Sequence, residues 1–453
     1  MAKTPPPFTC TECQSPAAKW SGQCGSCGAW NTLVEVTATS NQTATEVTTL
    51  ASVSLADGVA RPTGVDEFDR LFGGGLLPGS VTLLYGEPGA GKSTLLSQVA
   101  IAAASRGTTV LLVAAEESAA QVRLRTERLG TLPDQLLIIA TTSLDEALHA
   151  AEDRNADLVI VDSIQAVRAS DVAGPSGSIN QLRTAAERLV ALAKHRGPAV
   201  IVVGHVTKDG EVAGPRSLEH MVDTVVAFEG DRHQSLRVAR AIKHRFGTTG
   251  EVGLFEMGSA GLAAVEDPGR LLLDEHVHEV AGSALAIVLE GHRPLVTELQ
   301  TLVVDSHGGT ARRTASGVDN ARITLLLAVL EARCGINLAG LDVFASVTGG
   351  LKATEPAADL PLALALTAAV TERAIPRGLA SFGEVGLAGE LRRVRGADRR
   401  ITEAARLGLS GVIVPSSTPE VSCSIPVLRA ATLDEAISLA RSFTPNTAGS
   451  ART

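Results

Sequence analysis

The chain has 453 residues, a formal net charge of -9, and 45% hydrophobic but only 3% aromatic residues. Such a length exceeds one ordinary core and predicts two or three domains, with Ala/Val/Leu/Ile interiors of the layered α/β kind. The acidic balance excludes a general basic coat for nucleic acid but not a local basic groove, because charges are screened over about 10 Å. No apolar run reaches the roughly 18 residues of a membrane span, and "MAKTPPPFTC" lacks a signal-peptide core. The expectation is a soluble, cytoplasmic protein without a membrane partner, in which the sequon at Asn41 is an accident of composition.

Residues 1–31 carry "CTEC" and "CGSC", that is, Cys10 with Cys13 and Cys24 with Cys27. Each pair lets two thiolates converge on one tetrahedral ion, with Gly25 and Gly28 permitting the tight turns, and four thiolates fill the sphere of a structural zinc. A disulfide needs an oxidising compartment, and a redox CxxC needs a helix start after a strand; the sequence supports neither. Cys334 and Cys423 stand alone among apolar neighbours and are expected to be buried, unreactive packing residues. Residues 32–60, rich in Thr, Ala and Ser, are too polar for a core and read as a linker.

From 61 to 270 short apolar runs alternate with helical stretches: "SVTLLYG", "TTVLLVAAE", "QLLIIA", "ADLVIVDS" and "PAVIVVGH" against "SLDEALHAAEDRNA" and "INQLRTAAERLVALAKHRG". This texture predicts a mostly parallel sheet covered on both faces. "TVVAFEG", "SLRVARAIKHRFG" and "EVGLFEMG" read as its antiparallel extension.

Between the first strand and the first helix stands "GEPGAGKST": Gly86, Glu87, Pro88, Gly89, Ala90, Gly91, Lys92, Ser93 and Thr94. It fits G-x-x-x-x-G-K-[ST], in which glycines leave backbone N–H groups free to surround phosphates at a helix start. ATP is therefore the expected ligand. Lys92 would reach the β/γ-phosphates; Ser93, with Asp162 at the end of "LVIVD", would hold Mg²⁺. "VLLVAAEES" brings Glu116 and Glu117 to the ligand-binding edge of the sheet, and one of them is the expected general base. Glu117 reads better as a solvated acid at a helix start.

From 280 to 443 a second α/β texture follows, with strands in "ALAIVLEGHRP" and "FASVTGG" and a helix in "DNARITLLLAVLEARCG". Residues 444–453 read as a disordered tail.

The segment "PTGVDEFDRLFGGGLLPGSVTLLYGEPGAGKST" resembles the entry to RecA-like ATPases. Together with the cysteine pairs, "KHRFG" and the C-terminal region in the same order, the chain resembles the RadA (Sms) family of bacterial recombination and repair ATPases over essentially its whole length. The resemblance implies a zinc knuckle, a RecA-like core and a Lon-protease-like C-terminal domain. It further implies DNA-stimulated ATP hydrolysis by a DnaB-like hexameric ring on single-stranded and branched DNA, with branch migration alongside a RecA-type recombinase.

By the same match Glu116 is the catalytic glutamate, and His205 is a sensor at the head of the loop "HVTKDGEVAGPRSLEH", whose Lys208 and Arg216 face DNA. The family motif Lys-Asn-Arg-Phe-Gly has His244 in place of its Asn here. Strand alternation sends Lys243 and Arg245 to one face and His244 outward to the other. As a pair the two cations suit the γ-phosphate of a neighbouring subunit, in the manner of arginine fingers.

"GGLKATEPAADLPLALALTAAV" and "GEVGLAGELRRVRGADRRITEAARLGL" resemble the Lon segments that carry its serine and lysine, and Pro361 and Asp398 stand at or beside those places. Neither can serve as nucleophile or amine base, and Ser381 does not rescue the pair, so no peptidase activity is expected. "ELRRVRGADRR" holds Arg392, Arg393, Arg395, Arg399 and Arg400. Two readings of this run stand side by side: a duplex-DNA surface contacted through Arg392 and Arg393, or a solvated face balancing nearby Glu. The competing function is a nucleotide-switch DNA-binding scaffold without motor activity; the presence of Lys92, Ser93, Asp162 and Glu116 favours hydrolysis.

Overall fold

The computed structural model describes residues 8–13, 15–17, 19–35, 49–52, 58–205, 218–230, 235–265, 267, 269–270, 273, 280–306, 311–338, 340–348 and 351–445. Asn41, Lys208, Arg216, most of the expected linker and the end of the tail lie outside them. The chain divides into two compact units, Met1–Ala56 and Asp57–Thr453.

The first unit is a small antiparallel sheet of β1 (Phe8–Cys10), β2 (Pro16–Ala17) and β3 (Leu33–Glu35), in the order β2-β1-β3. Cys10, Cys24 and Leu33 form its buried centre. Pairing of Cys10 with Leu33 carries the folded unit past residue 31, because β3 closes the two cysteine loops.

In the second unit, α1 (Asp66–Arg70) precedes a sheet that comprises nine strands among the described residues. These are β4 (Val81–Gly86), β5 (Val110–Ala114), β6 (Leu136–Ala140), β7 (Leu158–Asp162), β8 (Ala199–His205), β9 (Thr224–Glu229), β10 (Leu236–His244), β11 (Val252–Gly258) and β12 (Gly261–Ala264). Their order is β12-β11-β10-β9-β4-β8-β7-β5-β6. Helices α2 (Lys92–Ser105), α3 (Ala119–Thr126), α4 (Leu144–Asp153) and α5 (Ile179–Arg196) connect the parallel strands.

Alternation explains the continuous apolar runs. Leu83, Val161 and Val202 pack with the α4 and α5 residues Leu144 and Leu189, while Leu84, Ile160 and Val203 pack with Phe68 of α1 and Val99 of α2. One expectation needs correcting: β9 runs parallel to β4, so the antiparallel extension begins only at β10.

The remaining chain forms a second sheet from β13 (Ser283–Glu290), β14 (Arg293–Asp305), β15 (Arg313–Ser316), β16 (Leu341–Val347), β17 (Leu379–Ser381), β20 (Gly411–Pro415) and β21 (Val427–Ala430), with a small ribbon of β18 (Glu384–Val385) and β19 (Leu391–Arg392). Helices α6 (Asn320–Cys334), α7 (Asp359–Thr371) and α9 (Leu433–Ser442) share one core with Ala286 and Val288, and α8 (Ala397–Arg406) packs on Leu285 and Ile287 of the opposite face.

This domain is fixed to the nine-stranded sheet of the same unit. Val238 and Leu254 belong to the same hydrophobic cluster as Val288 and Leu295. At the β13–β14 turn, a Cβ on Gly291 would overlap the Gly250 carbonyl, and Arg293 reaches the buried Glu67 of α1 at 2.6 Å.

The protease positions are built over as structure. Pro361 is buried in the first turn of α7, where its missing N–H costs no helix bond; Asp398 is exposed and Ser381 is buried in β17. Nor is the basic run one surface. Arg400 is fully buried, forks onto Glu355 at 2.8 and 2.6 Å, and lies over Phe382. It shares a helix face with Ala397, Ile401 and Ala404, which removes it from any DNA surface. Arg392 pairs with Glu390 at 2.5 Å, Arg399 reaches the His292 carbonyl at 3.3 Å, and Arg393 is exposed. Cys334 and Cys423 are half-buried rather than buried, and burial pushes the Cys334 thiol up, towards its unreactive form.

Removing the buried Arg400 guanidinium empties its place in the core and strands the Ile287 carbonyl and the partly buried Glu355 carboxylate. Arg400→Ala should therefore lower unfolding free energy by about 3 kcal/mol or more. Arg393→Ala should stay within about 0.5 kcal/mol, both read from denaturant midpoints.

Candidate nucleotide site and metal centre

The four cysteine sulfurs lie within 4.8 Å of one another, and Cys10–Cys27 and Cys13–Cys24 are each separated by 3.7 Å. A tetrahedral zinc with Zn–S bonds of about 2.3 Å has S···S edges of about 3.8 Å, so the donors fit that ion. The Thr32 hydroxyl, then the Cys13 backbone N–H, hold the Cys10 thiol down at about 6, while against the Ala29 N–H the crowding of Cys13, Cys24 and Cys10 pushes the Cys27 thiol up to about 12. Of the two expected turn glycines only Gly28 needs to be one: its φ is +73°, and its N–H donates to the Cys24 carbonyl at 2.9 Å.

β4 delivers its last residue, Gly86, into the loop, and α2 opens at Lys92 with Gly91 as cap at φ +107°. A Cβ at Gly91 would stand 2.5 Å from the Met257 methyl, and one at Gly86 would overlap the Phe228 carbonyl. Glycine is thus required by space at Gly86 and by dihedral at Gly91. Lys92 donates to the carbonyls of Gly86 at 2.8 Å and Glu87 at 2.9 Å, bracing the loop from within. Burial pulls its pKa down, while the charges of Asp162, Glu116 and Glu87 resist that shift.

Ser93, Glu116, Asp162 and His205 converge on one cavity of about 120 Å³ beside the loop. Each follows from topology: in a parallel sheet the ends of β5, β7 and β8 share the carboxyl edge, where ligands bind. Glu116 accepts from the Ser163 hydroxyl and lies 3.4 Å from His205 Nε2. His205 Nδ1 is buried without a partner among the described residues. Glu117 is not a freely solvated helix-start acid. It lines the same cavity but pairs with Arg125 at 2.5 Å and precedes the Ser118 cap, whereas Glu116 meets Ser163 and His205.

Lys243 and Arg245 sit elsewhere. Lys243 donates to the carbonyls of Glu219 at 2.7 Å and Val222 at 2.9 Å, and Arg245 donates to Asp223 at 2.9 Å. Buried Asp223 also accepts from the Val81 N–H and from Lys194, each at 3.0 Å. Both cations therefore lie beside the start of β4, separated from Gly86 by the strand's length of about 17 Å.

Lys243 and Arg245 both turn to the 219–223 segment and His244 turns away from it, as alternation predicts, but a bulge between Ala241 and Lys243 shifts the register of the strand just before them. His244 does not face outward. Its Nδ1 is 3.0 Å from the Thr224 hydroxyl, its ring meets Phe72 edge-on at 6.1 Å, and a Cβ on Gly247 would collide with it. Sequence reasoning missed Ser163, Arg125, Asp223 and the buried Arg237; only the last left a trace, as a cation within the otherwise apolar half of "LRVARA".

Loop, carboxylates and sheet define a P-loop nucleotide-binding protein with a RecA-like core, preceded by a zinc ribbon and followed by a Lon-like α/β domain. Family models agree segment by segment: a rubredoxin metal binding domain over residues 8–35, an AAA domain over 48–211, and subunit ChlI of Mg-chelatase over 333–418. The chain is 43% identical to "DNA repair protein RadA" of Mycobacterium tuberculosis over 96% of its own length and 93% of the relative's. It is 44% identical to the protein of that name from Mycolicibacterium smegmatis (96% of each), and 43% identical to that of Streptococcus pyogenes (92% of this chain, 94% of the relative). The chain belongs to the RadA family. A solved KaiC-like protein from Pyrococcus horikoshii, 21% identical over 46% of this chain and 99% of its own with a TM-score of 0.39, is too distant to bear on the site. No helix among the described residues is long and apolar enough to cross a membrane.

Purified full-length chain should carry zinc in a 1:1 ratio, and Cys24→Ser should lose it, by elemental analysis. A zinc-free parent chain that keeps its fold would contradict the assignment.

Proposed function

We propose that the protein is a DNA-dependent ATPase of DNA repair, acting as a ring in which each nucleotide site is completed by the adjacent subunit. The observation that carries this reading is the placement of Lys243 and Arg245 at the sheet edge opposite their own P-loop. A cation pair so placed cannot serve its own nucleotide.

In this reading the loop's N–H groups and Lys92 hold the β/γ-phosphates. Ser93 and Asp162 are the groups to hold Mg²⁺, which supplies charge neutralisation on the phosphates. Glu116, fixed by Ser163, orients the attacking water, and His205 beside it senses whether the γ-phosphate is present. Lys243 and Arg245 stabilise the charge that develops on the neighbour's phosphate.

DNA lies along the ring axis on Lys208 and Arg216, with duplex held by Arg392 and Arg393. Family membership supports the finer reading: a hexamer of the DnaB type in the cytoplasm, promoting branch migration on single-stranded and branched DNA alongside a RecA-type recombinase.

Single-stranded DNA should raise the rate of ATP hydrolysis by the parent chain. Lys92→Ala should abolish hydrolysis, and Arg245→Ala should reduce it at least about a hundredfold while leaving nucleotide affinity intact. Hydrolysis indifferent to DNA would instead favour a nucleotide-switch scaffold. Replacing Arg392 and Arg393 together by Glu should weaken duplex binding and flatten its salt dependence; unchanged binding removes both from the DNA surface.

A further inference from the structure

Arg237 lies near the start of β10, only 4% exposed, on the strand face it shares with Ala239. That face belongs to the core built around α2, with Phe228, Phe255 and Leu262. A guanidinium in such a place is held for a reason, because a cation cannot leave water without partners. Its Nε donates to the carbonyl of Ala90, inside the P-loop, at 2.9 Å, and Nη1 donates to the Leu236 carbonyl at 3.0 Å. The main chain makes room for it: a Cβ on Gly230 would overlap the Arg237 stem.

We infer that Arg237 is a positioning residue of the nucleotide site, setting the direction of the Gly91 N–H. The Ala90–Gly91 peptide is trans, so its N–H and C=O point to opposite sides. With the carbonyl gripped from behind by Arg237, the N–H is turned toward the open side of the loop, where phosphate oxygens bind. Gly91 has a left-handed φ, and glycine flanks are the positions at which a peptide plane rotates most freely. A fixed donor spares the ordering that phosphate binding would otherwise demand. The buried positive charge adds attraction for an anion on the far side of the same peptide.

The inference rests on the site's binding a nucleoside polyphosphate, and the experiment separates the two. Full-length parent chain, Arg237→Gln, Arg237→Lys and Gly230→Ala are titrated with fluorescent ATP and ADP analogues in the presence of Mg²⁺, and their melting midpoints are measured without nucleotide. Arg237→Gln should raise the dissociation constant for both nucleotides about tenfold or more, the scale of one charge-assisted hydrogen bond. Arg237→Lys should recover part of the loss. Gly230→Ala keeps the guanidinium but displaces it, so it should weaken binding in the same direction without a matching fall in melting midpoint.

Parent-like dissociation constants in folded Arg237→Gln or in Gly230→Ala would overturn the positioning role, whatever the melting midpoints do. If Arg237→Gln does not fold, Gly230→Ala decides alone. If the parent chain binds neither nucleotide, the reading of the whole site falls with it.

Discussion

A strand that joins a parallel sheet antiparallel to its neighbours has its two ends on opposite edges of that sheet, and β10 is such a strand. Its start lies at the carboxyl edge, where Arg237 grips the P-loop carbonyl of Ala90. Its end lies at the amino edge, where Lys243 and Arg245 are held by the carbonyls and carboxylate around Asp223. A single nine-residue element therefore touches its own nucleotide loop and, with the residue that follows it, presents two cations at the opposite edge. The proposed division of the site between subunits rests on strand direction before any side chain is considered.

The rest of the second unit keeps β10 in place. One of its faces belongs to the α2 core through Ala239, and the other reaches the C-terminal domain through Val238, which clusters with Val288 and Leu295. Arg293 then ties the β13–β14 turn to Glu67, whose carboxylate also accepts the Leu254 N–H of the neighbouring β11. At the amino edge Asp223 joins the first residue of β4 to Lys194 of α5 and to Arg245. In the C-terminal domain, Pro361 is buried in α7 and Asp398 is exposed at the start of α8. Nearby, buried Arg400 of α8 reaches the Ile287 carbonyl of β13 and the partly exposed Glu355, and so holds helix to sheet. The domain packs against the nine-stranded sheet through the cluster that Val238 and Leu254 share with Val288 and Leu295.

What could be read in the sequence was local. The P-loop, the two CxxC pairs and the continuous apolar strands declare themselves because their chemistry demands fixed spacing or fixed period, and all appear where expected. What escaped depends on contacts between distant residues. Arg400 looked like one cation in a basic run, yet it sits three and four residues from apolar positions of the same helix face. His244 was expected outward by alternation, but the face it turns to is covered by Phe72. The direction of β9 was equally hidden, since a short apolar strand reads the same whether its neighbour runs with it or against it.

The central claim is that one subunit's Lys243 and Arg245 serve another's P-loop. Subunits carrying Arg245→Ala and subunits carrying Lys92→Ala, each inactive alone, are co-assembled on single-stranded DNA and assayed for ATP hydrolysis. A shared site predicts regained activity, because some interfaces then pair an intact P-loop with an intact Arg245. Mixed assemblies that form and remain as inactive as their parents would contradict the account.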